Sequence, residues 1–411
     1  MTFDLAEITD LDARDPLRDF RDEFQLREGL IYVDGNSLGA APKATAARLA
    51  DAISQQWAEG LITSWLGAEW STAPQRIGDK IATIIGAAPG EVIAADSTSI
   101  NIFKALTAAL SLRPDRRVIL SESTNFPTDV YMMQGIEAFS GGRIQSIAVD
   151  PEAVVDRIDE DVAVLLLTQV HYKSGLVRDM AEVTRRAHEK GVLVVWDLSH
   201  SAGAIPVDLN GANADFAVGC GYKYLNGGPG APAFLFVAKR HQAARSVLSG
   251  WFGHASPFTF EEDYRPAEGI ARFLCGTPPV LGLVGLEAGV DLLCRADMAE
   301  LRRKSLRLSQ LFIERMEEYC GEFGFTLACP RDAALRGSQV SYAHPNGYEI
   351  VQALKARDVI GDFRAPDILR FGLTPLYLRY ADVMEAVERI RDVCATRAWD
   401  KPEYRERAAV T

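Results

Sequence analysis

The fold is decided by two neighbouring stretches, GVLVVWDLSH at residues 191–200 and DFAVGCGYKYLNGGPG at residues 215–230. Each contains a short apolar run without polar alternation, which is typical of a strand buried on both faces of a parallel sheet. Polar residues follow directly, because Asp197 ends the first run and Lys223 comes shortly after the second. Ligands of open α/β sheets bind outside the carboxyl ends of the strands, so we expect these two side chains to face one crevice.

Strands and helices alternate on both sides of these stretches. Strand-like runs are predicted at 92–95, 117–120, 145–149, 162–170 and 233–237, and helical spacing at 100–110, 151–160 and 180–190. This alternation predicts an α/β fold whose large, mostly parallel sheet is flanked by helices. Long amphipathic helices and short strands after residue 281 predict a smaller α+β domain. We expect an N-terminal segment (1–40) packing with the small domain, a large domain (41–280) and a small C-terminal domain (281–411).

Composition and charge restrict the class of protein. The 411 residues are 48% hydrophobic and 24% charged, which excludes bulk disorder and collagen-like repeats. A net charge of −12 disfavours binding to nucleic acid or to an acidic membrane surface. The acidic start of the chain lacks the features of a signal peptide, and no apolar run approaches the roughly 20 residues of a membrane helix. Scattered cysteines without a CxxC pair favour reduced thiols, so we expect a cytoplasmic protein.

An acid and a lysine at neighbouring strand ends suit pyridoxal phosphate (PLP). The lysine can join the cofactor aldehyde as a Schiff base, and the carboxylate can keep the pyridine nitrogen protonated, so that the ring draws electrons from the substrate. Taken alone, Lys223 could be an ordinary surface lysine and Asp197 a helix N-cap. Their pairing beside the glycine-rich stretch 227–230 favours a cofactor site.

A phosphate cradle is expected upstream of this pair. Residues 96–101 read Asp-Ser-Thr-Ser-Ile-Asn, follow a short predicted strand and open a helix. Hydroxyl groups and free backbone N–H groups at the positive end of a helix dipole bind phosphate well. Ordinary helix capping by serine and threonine explains the same residues, so this motif alone is a weak signal.

Six motifs carry a resemblance to a known family. They read DGNSLG at 34–39, FPTD at 126–129, DLSHSAG at 197–203, YKYLNGGPG at 222–230, GWFGH at 250–254 and CGTPP at 275–279. With them the chain resembles, over roughly residues 30–375, the PLP enzymes of fold type I (the aspartate-aminotransferase-like superfamily) and within these the kynureninase family. The resemblance implies a hydrolase of tryptophan catabolism that cleaves the Cβ–Cγ bond of L-kynurenine to give anthranilate and L-alanine, with 3-hydroxykynurenine as a second candidate substrate.

The resemblance also implies roles for single residues around the cofactor. Lys223 resembles the Schiff-base lysine, Asp197 the partner of the pyridine nitrogen, and Tyr222 a phosphate ligand that also transfers protons. The remaining cofactor contacts that it implies are Thr98 and Ser99 at the phosphate, Phe126 stacked on the ring, and Asp129, Thr168 and His200 close to it. Trp251 and Thr277 resemble residues that reach the phosphate across a subunit interface, so a homodimer is expected.

The substrate pocket is implied in the same way. Arg370 fits the small-domain arginine that holds the substrate carboxylate, a group that arginine binds well in a bidentate manner. It lies between Leu369 and Phe371, in an apolar strand-like stretch where an unpaired charge would be costly. The other pocket residues implied by the resemblance are Ser37, Trp65 and Phe252.

Other functions stay open on the sequence. A cysteine desulfurase or selenocysteine lyase of the same fold type needs a mobile nucleophilic cysteine, and Cys329 is the candidate, although a small buried hydrophobe explains it better. A PLP-binding regulator would normally add a basic DNA-binding module, which this acidic chain lacks, and a flavodoxin-like binding protein is a further alternative. None of the six histidines has HExxH spacing, so no metal is expected.

Overall fold

The structure, a computed structural model, describes residues 5–407. Its strands are β1 (Ile31–Tyr32), β2 (Val92–Ala94), β3 (Val118–Glu122), β4 (Gln145–Val149), β5 (Val162–Thr168), β6 (Leu193–Asp197), β7 (Phe216–Gly219), β8 (Phe234–Val237), β9 (Thr326–Leu327), β10 (Gln339–Ala343), β11 (Val359–Ile360), β12 (Asp362–Arg364) and β13 (Ile368–Gly372). Its α-helices are α1 (Leu5–Ala13), α2 (Lys43–Asp51), α3 (Ser64–Gly67), α4 (Ala73–Ile84), α5 (Thr98–Ser111), α6 (Pro127–Phe139), α7 (Met180–Glu189), α8 (Val280–Cys294), α9 (Met298–Cys320), α10 (Gly347–Lys355) and α11 (Tyr380–Ala395).

Seven strands form the large sheet, in the order β2-β8-β7-β6-β5-β3-β4. All neighbouring strands are parallel except β8, which is antiparallel to both β2 and β7. Side chains of β5 alternate between two apolar cores, with Leu165 and Leu167 in one and Val164 and Leu166 in the other. A strand covered on both faces reads as a continuous apolar run, which is why the pattern of β5 predicted its place. The predicted α/β fold class is confirmed.

The carboxyl ends of the central strands are level with one another. Thr168 at the end of β5 pairs with Asp197 at the end of β6, and Asp197 pairs with Val218 in β7. The loop that carries Lys223 begins after Gly219. The register therefore places the predicted acid and lysine at the same edge of the sheet.

The predicted helix at 151–160 is wrong, because residues 151–157 form turns. The Ala153 N–H bonds the Asp150 carbonyl and the Arg157 N–H bonds the Ala153 carbonyl, which mixes two hydrogen-bond spacings. Only Val154 and Ile158 of this stretch are buried apolar residues. A short helix needs a packed apolar face to be stable, and this acidic stretch does not supply one.

A four-stranded antiparallel sheet, β12-β13-β10-β9, forms the C-terminal part together with α9, α10 and α11. The N-terminal helix α1 packs on α11, where the Asp12 carboxylate accepts the backbone N–H groups of Tyr380 and Ala381. Strand β1 pairs in parallel with β11. Helix α8 packs against α2 and α4, so it ties the C-terminal part to the region before it. The division at residues 40 and 280 stays a prediction.

Candidate active site

Lys223 lies in the loop after β7, at the carboxyl edge of the large sheet. Its Nζ is 2.9 Å from Nε2 of His200, and it lies 5.7 Å from the ring centre of Phe126 and 5.9 Å from that of Tyr222. Burial, helped by the charge of Lys223, holds the pKa of His200 well below its usual value, so the imidazole is neutral and can accept a hydrogen bond from the lysine. The structure thus brings four of the predicted site residues together.

Two buried carboxyl groups lie within electrostatic range of this lysine. Asp197 ends β6, and its Oδ1 accepts the backbone N–H of Ser199 at 2.7 Å. Asp129 lies in the first turn of α6, and neither of its oxygens has a hydrogen-bond partner among the described residues. Burial raises the pKa of both groups, and the charge of Asp197 raises that of Asp129 further. Buried acceptors without donors are costly, so Asp129 suits a ligand that brings an N–H or O–H group.

The predicted phosphate cradle is the start of α5. Thr98 and Ser99 are the first two residues of this 14-residue helix, and both are partly buried. The residue before them, Ser97, is the N-cap, since its hydroxyl accepts the Ile100 N–H at 3.4 Å. The other N–H groups of a first helical turn have no partner within the helix, so an anion can bind there.

These residues fit PLP. The unpaired oxygens of Asp129 are buried acceptors that an N–H or O–H group of a pyridinium ring could satisfy. When Nε2 of neutral His200 accepts from Lys223, its Nδ1 carries the ring proton and is an unpaired buried donor for an oxygen of the cofactor. Phe126 is 39% exposed, so part of it is accessible to a ligand. Thr168 pairs with Asp197 on the neighbouring strand, and its hydroxyl donates to the Val170 carbonyl at 3.1 Å.

Arg370 is held by a dense set of hydrogen bonds on β13. Its Nε donates to Asp362 at 2.7 Å, and its Nη2 donates to the other oxygen of Asp362 and, at 2.9 Å, to Ser37 Oγ. Its Nη1 donates to the carbonyl of Tyr172. The structure therefore brings the predicted residues Arg370 and Ser37 together, and adds an internal carboxylate that the sequence did not reveal.

A second arginine, Arg364, lies at the same place. Its Nη2 is 2.7 Å from the Asp362 carboxylate and 3.2 Å from Ser37 Oγ. Asp362 and Arg364 are two residues apart on β12, so their side chains share a face of the sheet. Asp362 also pairs with Arg370 on the neighbouring antiparallel strand β13. The Asp-x-Arg spacing was the available signal, but it has meaning only once the two strands are known to pair.

The arginine site and the lysine site form one crevice. The Tyr172 residue that accepts from Arg370 packs its ring edge-to-face on Phe126, with the centroids 5.2 Å apart. The charges of both Arg370 and Arg364 contribute to the low pKa of His200. An amino acid attached near Lys223 could therefore reach the arginines with its carboxylate.

The motif at residues 34–39 closes this crevice from the N-terminal side. The Gly39 N–H donates to the Tyr222 carbonyl at 2.8 Å. A Cβ at Gly39 would lie 2.2 Å from the Lys223 carbonyl oxygen, so only glycine allows this approach. The N-terminal segment thus supports the loop that carries the lysine.

Trp65, Trp251 and Phe252 meet in a separate aromatic cluster. The Trp65 ring lies 6.1 Å from that of Trp251 and 5.8 Å from that of Phe252. Trp251 Nε1 donates to Thr277 Oγ1 at 3.3 Å, and Phe252 is buried in the core. Between residues 5 and 407, no described hydrogen bond or ring contact joins this cluster to Lys223. Within one chain, these predicted residues are therefore grouped with one another.

Cys329 does not suit the nucleophile that a desulfurase requires. It is buried, at 8% exposure, and burial raises the pKa of its thiol. The reactive form of cysteine is the thiolate, which this environment disfavours. The structure supports the interpretation of Cys329 as a small buried hydrophobe.

Comparisons of sequence point to one family. A model of the kynureninase C-terminal domain matches residues 301–390, and a model of the DegT/DnrJ/EryC1/StrS aminotransferase family matches residues 61–218. The kynureninase of Burkholderia pseudomallei (strain K96243) is 52% identical over 407 residues, which is 98% of each chain. That of Pseudomonas fluorescens is 48% identical over the same length, again 98% of each chain.

Comparison of structures gives the fold. The apo cysteine desulfurase of Thermococcus onnurineus NA1 superposes with a TM-score of 0.78, covering 93% of this chain and 99% of that one. Its sequence identity of 18% is too low to indicate more than a shared architecture. The full-length relatives at 52% and 48% identity are decisive, and the chain belongs to the kynureninase family.

Proposed function

We propose that this chain hydrolyses the Cβ–Cγ bond of L-kynurenine to anthranilate and L-alanine at the crevice between Lys223 and Arg370. The observation that carries the proposal is the convergence of a lysine, two buried carboxyl groups and an arginine pair at one edge of the sheet. A lysine and an acid serve a PLP ring, and an arginine serves the carboxylate of an amino-acid substrate. 3-Hydroxykynurenine is a second candidate substrate for the same crevice.

The enzyme depends on PLP, which when bound withdraws electrons first from Cα and then from Cβ of the substrate. Lys223 would bond the cofactor, and Asp197 would pair with its ring nitrogen. The residues that we assign to the rest of the cofactor are Thr98, Ser99 and Tyr222 at the phosphate, and Phe126, Asp129, Thr168 and His200 around the ring.

Lys223 and Tyr222 are the residues placed to move protons. Nζ of Lys223 is the group that accepts and returns the Cα proton, with neutral His200 within hydrogen-bond distance of it at 2.9 Å. Burial raises the pKa of Tyr222, so its Oη stays protonated and can donate a hydrogen bond to the group that receives the proton. The hydrolysis consumes one water: its OH joins the acyl carbon that becomes the anthranilate carboxylate, and its remaining hydrogen ends on Cβ of alanine.

Arg370 and Ser37 would orient the substrate by its carboxylate. Arg370 Nη2 and Ser37 Oγ lie 2.9 Å apart, so a guanidinium and a hydroxyl could contact the same carboxylate. Trp65 and Phe252, whose ring centroids lie 5.8 Å apart, are assigned to the aromatic end of the pocket.

A homodimer is part of the proposal. Trp251 donates a hydrogen bond to Thr277 at 3.3 Å within the aromatic cluster. In a dimer they could contact the phosphate of the partner's cofactor. Around them lies a large exposed apolar surface, which in soluble proteins marks an interaction site.

We also propose a cytoplasmic location without nucleic-acid partners. All six cysteines are free, as expected in a reducing compartment, and the net charge is −12. No helix between residues 5 and 407 combines the length and apolar character needed to span a membrane.

The direct experiment is to incubate the holoenzyme with L-kynurenine and to follow anthranilate fluorescence. Lys223→Ala should lose the borohydride-reducible chromophore and at least about 10³-fold in kcat, because no other group replaces the amine. Arg370→Ala should mainly raise KM. Lys190→Ala, at an exposed lysine, is the matched control and should leave both constants unchanged. A holoenzyme that forms no anthranilate, or a Lys223→Ala variant that keeps turnover, would refute the proposal.

A further inference from the structure

We propose that Asp34 is a positioning residue that takes up a proton when the substrate carboxylate enters the arginine pair Arg364 and Arg370. The inference rests on the proposed function and deepens it, since it concerns how the same site receives its substrate. It starts from the unusual number of charges around one hydroxyl group, that of Ser37.

Four charged side chains surround Ser37. Arg370 and Arg364 both donate to its Oγ, at 2.9 and 3.2 Å, and the hydroxyl donates to the Asp362 carboxylate. Asp362 in turn is paired with both arginines. Asp34 is the fourth charge of the group, because the charges of Asp362, Arg370 and Arg364 all act on it. It is partly buried, and its Oδ1 is shielded from solvent without a hydrogen-bond partner among the described residues.

The balance of charge decides what the cluster can accept. With both aspartates ionised, two carboxylates balance two guanidinium groups, and a substrate carboxylate would leave an uncompensated negative charge in a largely buried site. Such a charge is strongly disfavoured. With Asp34 protonated, the cluster carries one positive charge before the substrate binds and none afterwards. The substrate therefore binds to the protonated form.

Asp34, and not Asp362, is the group that changes its protonation. Burial alone would raise the pKa of Asp362, but the hydrogen bonds and charge of Arg370 more than offset it and lower that pKa. Burial, and after it the charge of Asp362, raises the pKa of Asp34 to about 7. A further carboxylate would raise it again, so binding and proton uptake are linked.

The other groups that face Asp34 do not titrate in the same range. They are Asp362 and the two arginines on β12 and β13, together with the phenols Tyr32, Tyr224 and Tyr377. Burial raises the pKa of all three phenols, so they stay neutral up to at least about pH 9. Proton uptake by this cluster near neutral pH is thus assigned to Asp34.

Arg364 is the arginine that the substrate meets first. Its side chain is 31% exposed, whereas that of Arg370 is 1% exposed and already makes four hydrogen bonds. We therefore assign Arg364 a direct share in carboxylate recognition, with Asp362 holding both guanidinium groups in place.

The experiment uses the holoenzyme and a probe that cannot bond the cofactor. The probe is 4-(2-aminophenyl)-4-oxobutanoate, which is kynurenine without its α-amino group, and the control probe is its primary amide. For the acid, the inhibition constant should not change with pH below about pH 7. Above it, the inhibition constant should rise by up to about tenfold per pH unit, because binding weakens. For the uncharged amide it should not change. Calorimetry in buffers of different ionisation enthalpy should show uptake of close to one proton per site at about pH 8 for the acid alone.

Two variants test the assignment. Asp34→Asn should bind the acid at every pH as tightly as the wild type does at low pH, and without proton uptake. Arg364→Gln should weaken binding of the acid but not of the amide. It should also move the onset of the pH dependence to higher pH, because it removes a charge that lowers the pKa of Asp34. This second variant decides the matter if Asp34→Asn does not fold.

A wild-type inhibition constant that is flat with pH would overturn the inference, as would proton uptake that persists in Asp34→Asn. Probe binding is measured separately from anthranilate formation. An enzyme that shows the proton linkage but does not cleave kynurenine would therefore refute the proposed function alone, and the reverse result would refute this inference alone.

Discussion

Asp129 and Asp215 are both fully buried, but their surroundings act in opposite directions. Asp215 accepts hydrogen bonds from His188, His241 and Arg240, each at 2.8 Å. Burial opposes its ionisation, but the hydrogen bonds of the two histidines prevail and lower its pKa. None of the described hydrogen bonds reaches the carboxyl oxygens of Asp129, and burial raises its pKa despite the opposing influence of the Asn125 side chain. The Asp215 carboxylate is thus a structural anion, whereas the Asp129 carboxyl is an unpaired acceptor available to a ligand.

We predict that Asp129→Asn stabilises the cofactor-free protein at pH 8 by about 1–3 kcal/mol while it weakens PLP binding. A carboxyl whose folded pKa is raised costs stability as pH rises from its unfolded pKa, near 4, towards the folded value. The advantage of asparagine should therefore grow between about pH 5 and 8. Urea denaturation of the apoprotein at both pH values measures it.

The control is Asp215→Asn, for which the sign is reversed. Its folded pKa is lowered, so the ionised form stabilises the fold above the unfolded pKa of about 4 and this contribution fades as pH falls below it. We expect a loss of about 3 kcal/mol at pH 8, because a buried carboxylate that accepts several hydrogen bonds is removed. Destabilisation of the apoprotein by Asp129→Asn at pH 8 would contradict the role given to that residue.

Single site residues could be predicted where their neighbours in sequence are also their neighbours in space. Lys223 and Asp197 follow apolar strands, and the strand ends alone indicate their position. Asp34 and Arg364 could not be recognised in this way, since 330 residues separate them and they meet only through the pairing of short strands. Their role depends on a balance of charges that no local motif records.

Among the secondary-structure elements, the pattern of apolar residues predicted the positions of the strands but not their directions. A run such as that of β8 shows burial but has no sign of direction, so its antiparallel place between β2 and β7 was not predictable. The stretch 151–160 shows the converse error, because a proline at its start suggested a helix that has no face to bury.

Helices α4 and α8 are joined by an ionic network. The Glu287 carboxylate accepts from Arg76 at 2.9 Å and from Lys80 at 2.8 Å, and Lys80 also donates to Asp291 at 2.6 Å. Glu287 is only 15% exposed. Burial opposes its ionisation, but the hydrogen bonds of Arg76 and Lys80 prevail and lower its pKa to about 2. The network therefore stabilises the contact between the two helices.

We predict that Glu287→Gln lowers the free energy of unfolding by about 1–2 kcal/mol at pH 7. The stabilisation is present above the unfolded pKa of glutamate, near 4.3, and is lost as pH falls towards about 2, so the variant's deficit should shrink in acid. Urea midpoints at about pH 7 and 3.5 measure the difference. Glu182→Gln, which removes a fully exposed pair with Arg185 on α7, is the control and should cause no measurable change. Equal losses in the two variants would show that the network adds nothing.

At the scale of the whole molecule, one apolar surface stands out against the acidic exterior. It forms a groove of about 1090 Å³ around Trp65 and Trp251. The large side chains that it exposes are Ile62 (76%), Leu66 (79%), Phe258 (51%) and Phe260 (76%). Trp251, which lines this groove and donates a hydrogen bond to Thr277, belongs to the predicted cross-subunit pair, so covering the groove and completing the cofactor site would be one event.

We predict that the double variant Ile62→Glu/Leu66→Glu is a folded monomer with at least about tenfold weaker PLP binding. Two charges would have to be buried at the interface, which costs several kcal/mol, while the core of each chain is untouched. Sedimentation equilibrium and absorbance titration with PLP measure the two effects. Phe139→Glu, at an 88% exposed apolar position outside the groove, is the matched control and should change neither. A monomeric double variant that binds PLP as tightly as the wild type would show that each chain completes its cofactor site alone.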